Sequence, residues 1–221
     1  MFQKLLSYLI PINVLKQESI VNKSLEVTWN NGELVLDTLN TNYSYGSLQR
    51  ILRTGLLKVG FDKIKKYNKI LILGVAAGSV IKTLVNEIGF RNEIIGVEID
   101  PKTIEIANKY FGLDKIENVE IIIDDAENFV QNNSEKFDLI IIDIFQDNFM
   151  PKFLFDSSFV KAIISLMAND GKLLFNTMVL NTNDEKRNAD YISLFDANKF
   201  KVEKISKLEK YNELIIVTSM N

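Results

Sequence analysis

The 221-residue sequence predicts a doubly wound α/β sheet of about seven strands, mostly parallel, closed by a terminal antiparallel hairpin. Three observations carry this. From residue 70 onward, short continuous apolar runs alternate with stretches of helical periodicity, as expected for parallel strands covered on both faces. The first run, Ile-Leu-Ile-Leu-Gly-Val-Ala-Ala-Gly (70–78), ends in a small-residue turn. The last two runs, 200–206 and 212–219, are joined only by the polar link Lys207 to Tyr211. That link is too short for a crossover helix, so those two strands must be antiparallel.

The elements follow in order. Phe2 to Ile10 reads as a short helix packing on the body or on a second subunit. Pro11 interrupts it and no small-residue cleavage site follows, so it is not read as a signal peptide; it is also too short to span a bilayer. A cytoplasmic location is the expectation. Leu25 to Trp29 and Glu33 to Asp37 flank Asn30-Asn31-Gly32 and predict a β-hairpin. Residues 43–59 carry Leu48, Ile51, Leu52, Leu56 and Val59 at helical spacing. Strands are expected at 70–74, 94–98, 119–123, 138–143 and 172–176. Helices are expected at about 78–89, 102–111, 126–133, 157–168 and 186–198. The chain thus divides into an N-terminal helix, hairpin and first helix (1–60) and a main domain (61–221).

Composition excludes several chemistries. With no cysteine there is no disulfide, thiolate nucleophile or cysteine-bound metal. With no histidine there is no Ser-His triad and no histidine-ligated metal. A general base must be Asp, Glu, Tyr, Lys or the substrate. The formal net charge of -3 does not point to a nucleic-acid surface, though it leaves local basic patches open, and neither a nucleic-acid nor a membrane partner is expected.

Ligands of such sheets sit at the carboxyl ends of the strands. Those ends carry Gly74, Glu98, Asp124 and Asp125, Asp143, and Asn176. Turn and cap propensity accounts for any one of them; the set points to a ligand. The turn brings backbone amides and a helix N-terminus to it, and Glu98 offers acceptors for a ribose diol. Together they indicate an adenosine-containing cofactor. Gly74 and Gly78, with Val75, Ala76 and Ala77 between them, lack the G-x-G-x-x-G spacing of a dinucleotide fold.

Residues 70–79, Gly-Val-Glu-Ile-Asp-Pro (96–101), Val-Glu-Ile-Ile-Ile-Asp-Asp-Ala (119–126) and Phe-Asp-Leu-Ile-Ile-Ile-Asp-Ile-Phe-Gln-Asp-Asn (137–148) resemble the spermidine synthase-like family of the class I S-adenosylmethionine-dependent methyltransferase fold. The likeness covers about residues 20–180. It implies S-adenosylmethionine or its decarboxylated form as donor, a small-molecule acceptor and no metal. It implies a cofactor site of Gly74, Val75, Ala76, Gly78, Glu98, Ile99, Asp125, Ala126 and Asp143. It implies Asp143 and Tyr45 as catalytic residues, and Tyr43, Tyr45, Gln49 and Asp147 facing the acceptor. A magnesium site is not expected, because Asn169-Asp170-Gly171 reads as a turn. The apolar N-terminus and the hairpin edge are compatible with a homodimer.

The sequence also departs from the family pattern. Ala77 replaces the acid of the family's glycine loop, Gln146 its second acid, and Lys23 its first-strand glutamine; Gly46 and Ser47 replace a polar and acidic pair. A loop acid attracts the ammonium of a decarboxylated donor and repels the carboxylate of the ordinary one. Its absence gives the expectation of methyl transfer from S-adenosylmethionine to a small acceptor. The alternatives are a polyamine aminopropyltransferase using the decarboxylated donor, and a non-catalytic nucleoside-binding or assembly module.

Overall fold

A computed structural model describes residues 2–38, 42–44, 47–146 and 149–220, with backbone alone at 42–44, 47 and 48. It contains two sheets. The N-terminal sheet is antiparallel, in the order β1 (Ile12–Gln17), β2 (Leu25–Asn30), β3 (Glu33–Thr38), β4 (Asn42–Ser44). The main sheet has seven strands: β5 (Lys69–Leu73), β6 (Glu93–Glu98), β7 (Val119–Ile123), β8 (Phe137–Ile142), β9 (Met167–Met178), β10 (Phe200–Leu208) and β11 (Asn212–Ser219). Their spatial order is β10-β11-β9-β8-β5-β6-β7. Strands β5 to β9 pair in parallel, and β11 lies antiparallel between β9 and β10.

Both faces of the sheet are buried, which explains why its strands read as continuous apolar runs. Leu71, Leu73, Ile140 and Ile142 point into one core with Phe159, Ile163 and Tyr191. Their alternates Ile70, Ile72, Leu139 and Ile141 point into a second core with Ile51, Leu56, Ile81 and Leu84. The first core is covered by α6 (Ala126–Asn132), α7 (Ser157–Leu166) and α8 (Thr182–Ser193). The second is covered by α2 (Ser47–Val59), α3 (Phe61–Ile64) and α4 (Ser79–Lys82), which runs on as a π-helical turn, Thr83–Ile88. The next helix, α5 (Pro101–Ile106), continues as a second π-helical turn, Ala107–Phe111. A third cluster of Leu25, Val27, Leu36, Ala77, Ile106 and Phe111 glues the N-terminal sheet onto α5 and the β5 turn.

Several boundaries differ from expectation. The N-terminal helix, α1 (Phe2–Leu6), is shorter than expected, and two unexpected strands, β1 after Pro11 and β4, widen the hairpin to four strands. A register shift between Asn13 and Leu15 obscures the alternation of β1. The N-terminus docks through polar bonds: the Gly32 N–H donates to Ser7 Oγ at 2.9 Å and the Asn31 N–H to the Ser7 carbonyl at 3.0 Å. Phe2, Leu5, Leu9 and Ile10 stay exposed, and the segment docks through Ser7, the Tyr8 ring against Gly32 and Lys4 over the Trp29 ring. Helix α8 starts four residues before its expected position, because Asn181 caps it by accepting from the Asn183 and Asp184 N–H groups. Strand β9 begins at Met167, absorbing Asn169-Asp170-Gly171 as a bulge with Asp170 at φ 57°. No described helix is long and apolar enough to cross a membrane.

Candidate active site

The site forms where β5 is flanked by β6 and β8, the point at which strand order reverses and helices leave in opposite directions. The turn after β5 is tightly drawn. Gly74 has φ +89°, and a Cβ there would lie 2.2 Å from the Asp143 carbonyl oxygen, so only glycine lets the two strand ends approach. The Asp143 N–H donates to the Leu73 carbonyl at 2.8 Å, and the Gly74 N–H to the Val97 carbonyl at 3.0 Å. Ala76 adopts φ +48°, an uncommon conformation for a residue with a side chain. Gly78 then opens α4.

Glu98 explains how that turn is held. It is buried at the end of β6. Its Oε2 accepts from the Val75 N–H at 3.1 Å and the Ala76 N–H at 3.0 Å, and its Oε1 from the Asp100 N–H at 3.1 Å. Burial raises its pKa, opposed by these three backbone bonds, while the nearby Asp100 charge raises it further. Val75 uses only its backbone here, since its side chain packs in the core. Ile99 beside Glu98, and Ile123 at the end of β7, are apolar yet exposed at this rim.

Asp100 is a residue that sequence reasoning passed over within the Gly-Val-Glu-Ile-Asp-Pro segment. It is 1 % exposed. Its Oδ1 caps α5 by accepting from the Lys102 N–H, and its Oδ2 accepts from Ser19 Oγ at 2.5 Å and Asn22 Nδ2 at 3.0 Å. One carboxylate thus clamps the segment before β2 onto the residues next to Glu98. The cap was legible from Asp-Pro at a helix start; the contact with Ser19, 81 positions away in sequence, was not.

Asp125 caps α6, its Oδ1 accepting from the Glu127 N–H at 2.7 Å, with Ala126 buried behind it. Neighbouring Asp124 accepts from the Asp125 N–H and from Asn128 Nδ2.

Asp143 follows β8 directly and is partly buried. Its Oδ1 accepts from Asn176 Nδ2 at 2.9 Å, and Asn176 Oδ1 in turn accepts from Asn212 Nδ2 at 3.1 Å. Burial raises the Asp143 carboxyl to about 6, a rise the Asn176 bond partly offsets. Asn212 was not singled out from sequence, because only the β9–β11 register brings it there: it pairs with Met178, one position diagonal to Asn176 on the same face.

The expected acceptor-facing residues fare differently. Gln49 is half-buried, and its Nε2 donates to Thr83 Oγ1 at 3.3 Å, which ties α2 to the helix after the turn. The Tyr43 side chain, Tyr45 and Asp147 lie outside the described residues. Among the described residues no group of three or more acidic side chains converges in a manner suited to a metal ion.

The model of the spermine/spermidine synthase domain matches residues 49–198, more than half of the chain. The chain belongs to the spermine/spermidine synthase family. A polyamine aminopropyltransferase of Vibrio vulnificus is 29% identical over 133 residues, which is 59% of this chain and 44% of that protein. Another from Thermoplasma acidophilum is 33% identical over 108 residues, 47% of this chain and 38% of that protein. This member of the family therefore aligns with less than half the length of these relatives. The solved spermidine synthase of Thermotoga maritima superposes with a TM-score of 0.69 at 20% identity, covering 95% of this chain and 73% of that one, and so shares the fold.

These relatives overturn the expectation of methyl transfer, since both are named as aminopropyltransferases and the matching family is that of the polyamine synthases. The structure supplies the physical reason. The expectation rested on the missing acid at Ala77, but Ala77 is fully buried and packs with Leu25, Val27, Leu36, Ile106 and Phe111. An apolar residue at this position serves the join between the N-terminal sheet and α5.

Proposed function

We propose that this protein is an aminopropyltransferase of the polyamine class, moving the aminopropyl group of a decarboxylated S-adenosylmethionine to a small amine. The family match and the relatives' names support the class of reaction. The observation that carries it to the site is Asp143: a desolvated carboxyl at the switch point, with one oxygen held by Asn176 and no partner for the other among the described residues.

The donor supplies a propyl carbon made electrophilic by the adjacent sulfonium. On this reading the acceptor amine attacks that carbon, the new N–C bond forms as the C–S bond breaks, and the electron pair passes to sulfur to leave a neutral thioether. Asp143 takes the proton the amine releases. Its negative charge also favours the cationic donor in a low-dielectric crevice. Glu98 receives the ribose diol. Its two oxygens offer about four acceptor positions and three are in use, which leaves one for a ribose hydroxyl while the loop amides stay in place. The turn of Gly74, Val75, Ala76 and Gly78 gives the donor's tail a backbone wall, Ile99 an apolar rim for the base, and Asp125 with Ala126 the polar edge for its amino group. Tyr45, Tyr43, Gln49 and Asp147 are proposed on the acceptor side.

The test is a direct assay of product from decarboxylated S-adenosylmethionine and putrescine, beside a parallel assay with the ordinary donor. Spermidine and methylthioadenosine are the expected products. Methylated putrescine from the ordinary donor, or binding of either donor without turnover, would refute the assignment.

A further inference from the structure

The three-residue chain Asn212–Asn176–Asp143 has an internal logic that assigns a role to its middle member. A carboxylate can only accept, so Asn176 must turn its Nδ2 toward Asp143 Oδ1, at 2.9 Å. Its carbonyl oxygen must then find a donor, and Asn212 Nδ2 supplies it at 3.1 Å. Asn176 has no exposed surface, so water does not replace either bond. Asn212 therefore fixes which way the Asn176 amide faces, and the amide fixes Asp143.

We infer that Asn176, oriented by Asn212, is a positioning residue that pins one carboxylate oxygen of Asp143 and leaves the other toward the crevice for the acceptor amine. The inference rests on the aminopropyl-transfer reading for its kinetic consequence, but not for its structural one. The strands beside Asp143 present Gly74 from β5 and Asn176 from β9. The one charged strand-end group on the next strand, Glu98 on β6, is engaged with backbone amides. The influences on Asp143 titration are its burial and the Asn176 amide. Withdrawing the amide leaves burial unopposed, so the carboxylate form becomes harder to reach at neutral pH.

The experiment follows the Asp143 carboxyl by carbon NMR across pH in wild type, Asn176→Leu and Asn212→Ala, with kcat at saturating donor measured over the same range. The wild-type midpoint is expected near the value of about 6 that burial and the amide set together. Asn176→Leu should raise it by about one pH unit, and Asn212→Ala in the same direction by less, since the freed amide can rotate away. At pH 7 kcat should fall about twofold in Asn176→Leu, widening to about fivefold at pH 6, and recover above pH 8, with the donor KM unchanged. An unmoved midpoint in the folded variants, or a kcat deficit that is the same at every pH, would overturn the inference. If Asn176→Leu fails to fold, Asn212→Ala decides alone, because it sits at the start of β11 and lines no core. Should the wild type transfer no aminopropyl group, the functional reading falls while the NMR titration, which needs no turnover, still decides this one.

Discussion

Two carboxylates stand on either side of β5, and they are held in opposite ways. Glu98, at the end of β6, is gripped by three backbone N–H groups, two from the turn after β5 and one from Asp100. Asp143, after β8, has one side-chain amide on one oxygen. Burial raises both. Backbone donors cannot move without moving the turn, so Glu98 acts as a keystone whose charge is committed to shape. A single amide on one oxygen leaves Asp143 fixed in place but free to exchange a proton. The lesson is that two acids at equivalent strand ends are given different freedom by their hydrogen-bond partners and not by their position, a difference that the proposed function uses for binding at one and proton transfer at the other.

The contrast can be broken most severely at Asp143. Asp143→Asn keeps the shape and removes the base, so kcat should fall by about 10³-fold while the donor Kd, read by calorimetry, changes little. A kcat within a few-fold of wild type would strip Asp143 of its role. In wild type, the rate should climb as pH rises through about 6, where the carboxyl ionises. The stability consequence has the opposite sign. A carboxyl raised from its ordinary 3.8 holds its proton more tightly in the folded state, so the wild type loses stability as pH climbs from about 4 to about 6. Asn at this position avoids that loss. Above pH 6 the variant should unfold at higher urea than wild type, by up to about 3 kcal/mol, with the advantage fading toward pH 4.

Gly74→Ala tests the approach of the two strand ends. A Cβ 2.2 Å from the Asp143 carbonyl, on a backbone at φ +89°, should cost about 3 kcal/mol in denaturation and lower kcat by displacing Asp143. Asp100→Ala removes a helix cap and the clamp to Ser19 and Asn22. A loss of about 2 kcal/mol is expected, with faster amide exchange in residues 19–22 and kcat at saturating donor nearly intact. The mildest change, Glu98→Gln, keeps an oxygen for one set of N–H donors and turns an amide toward the other. It should weaken donor binding by about tenfold and quicken exchange at Val75 and Ala76, leaving kcat at saturation unchanged. A matching loss in kcat would erase the division of labour between the two acids.

Much of this was readable before the structure. The seven-strand sheet, its antiparallel closure and the carboxylates at the strand ends follow from runs of apolar residues and the acids that punctuate them, which are local patterns. The same holds for Asp125 as a helix cap, while Asp100, whose Asp-Pro step carried the same signal, was passed over. What was not readable depends on contacts between distant segments. The strand Ile12–Gln17 is stabilised by pairing with β2, and its own alternation is broken by a register shift. Ala77 looked like a lost ligand group because a motif gives position and not direction; only the packing against Leu25 and Phe111 shows which way its side chain points.

By itself, the sequence determined the α/β class, the family, the absence of thiol and imidazole chemistry, and the two carboxylates at the strand ends, because periodicity and residue chemistry are encoded along the chain. The tertiary structure alone decided how those carboxylates are held. The Asn212 amide reaches Asn176 only through the antiparallel register of β9 and β11, and the Val75 and Ala76 amides reach Glu98 only when β5 and β6 lie side by side. A carboxylate's charge state and orientation are set by such neighbours and by its distance from water, and neither is a property of its place in the chain.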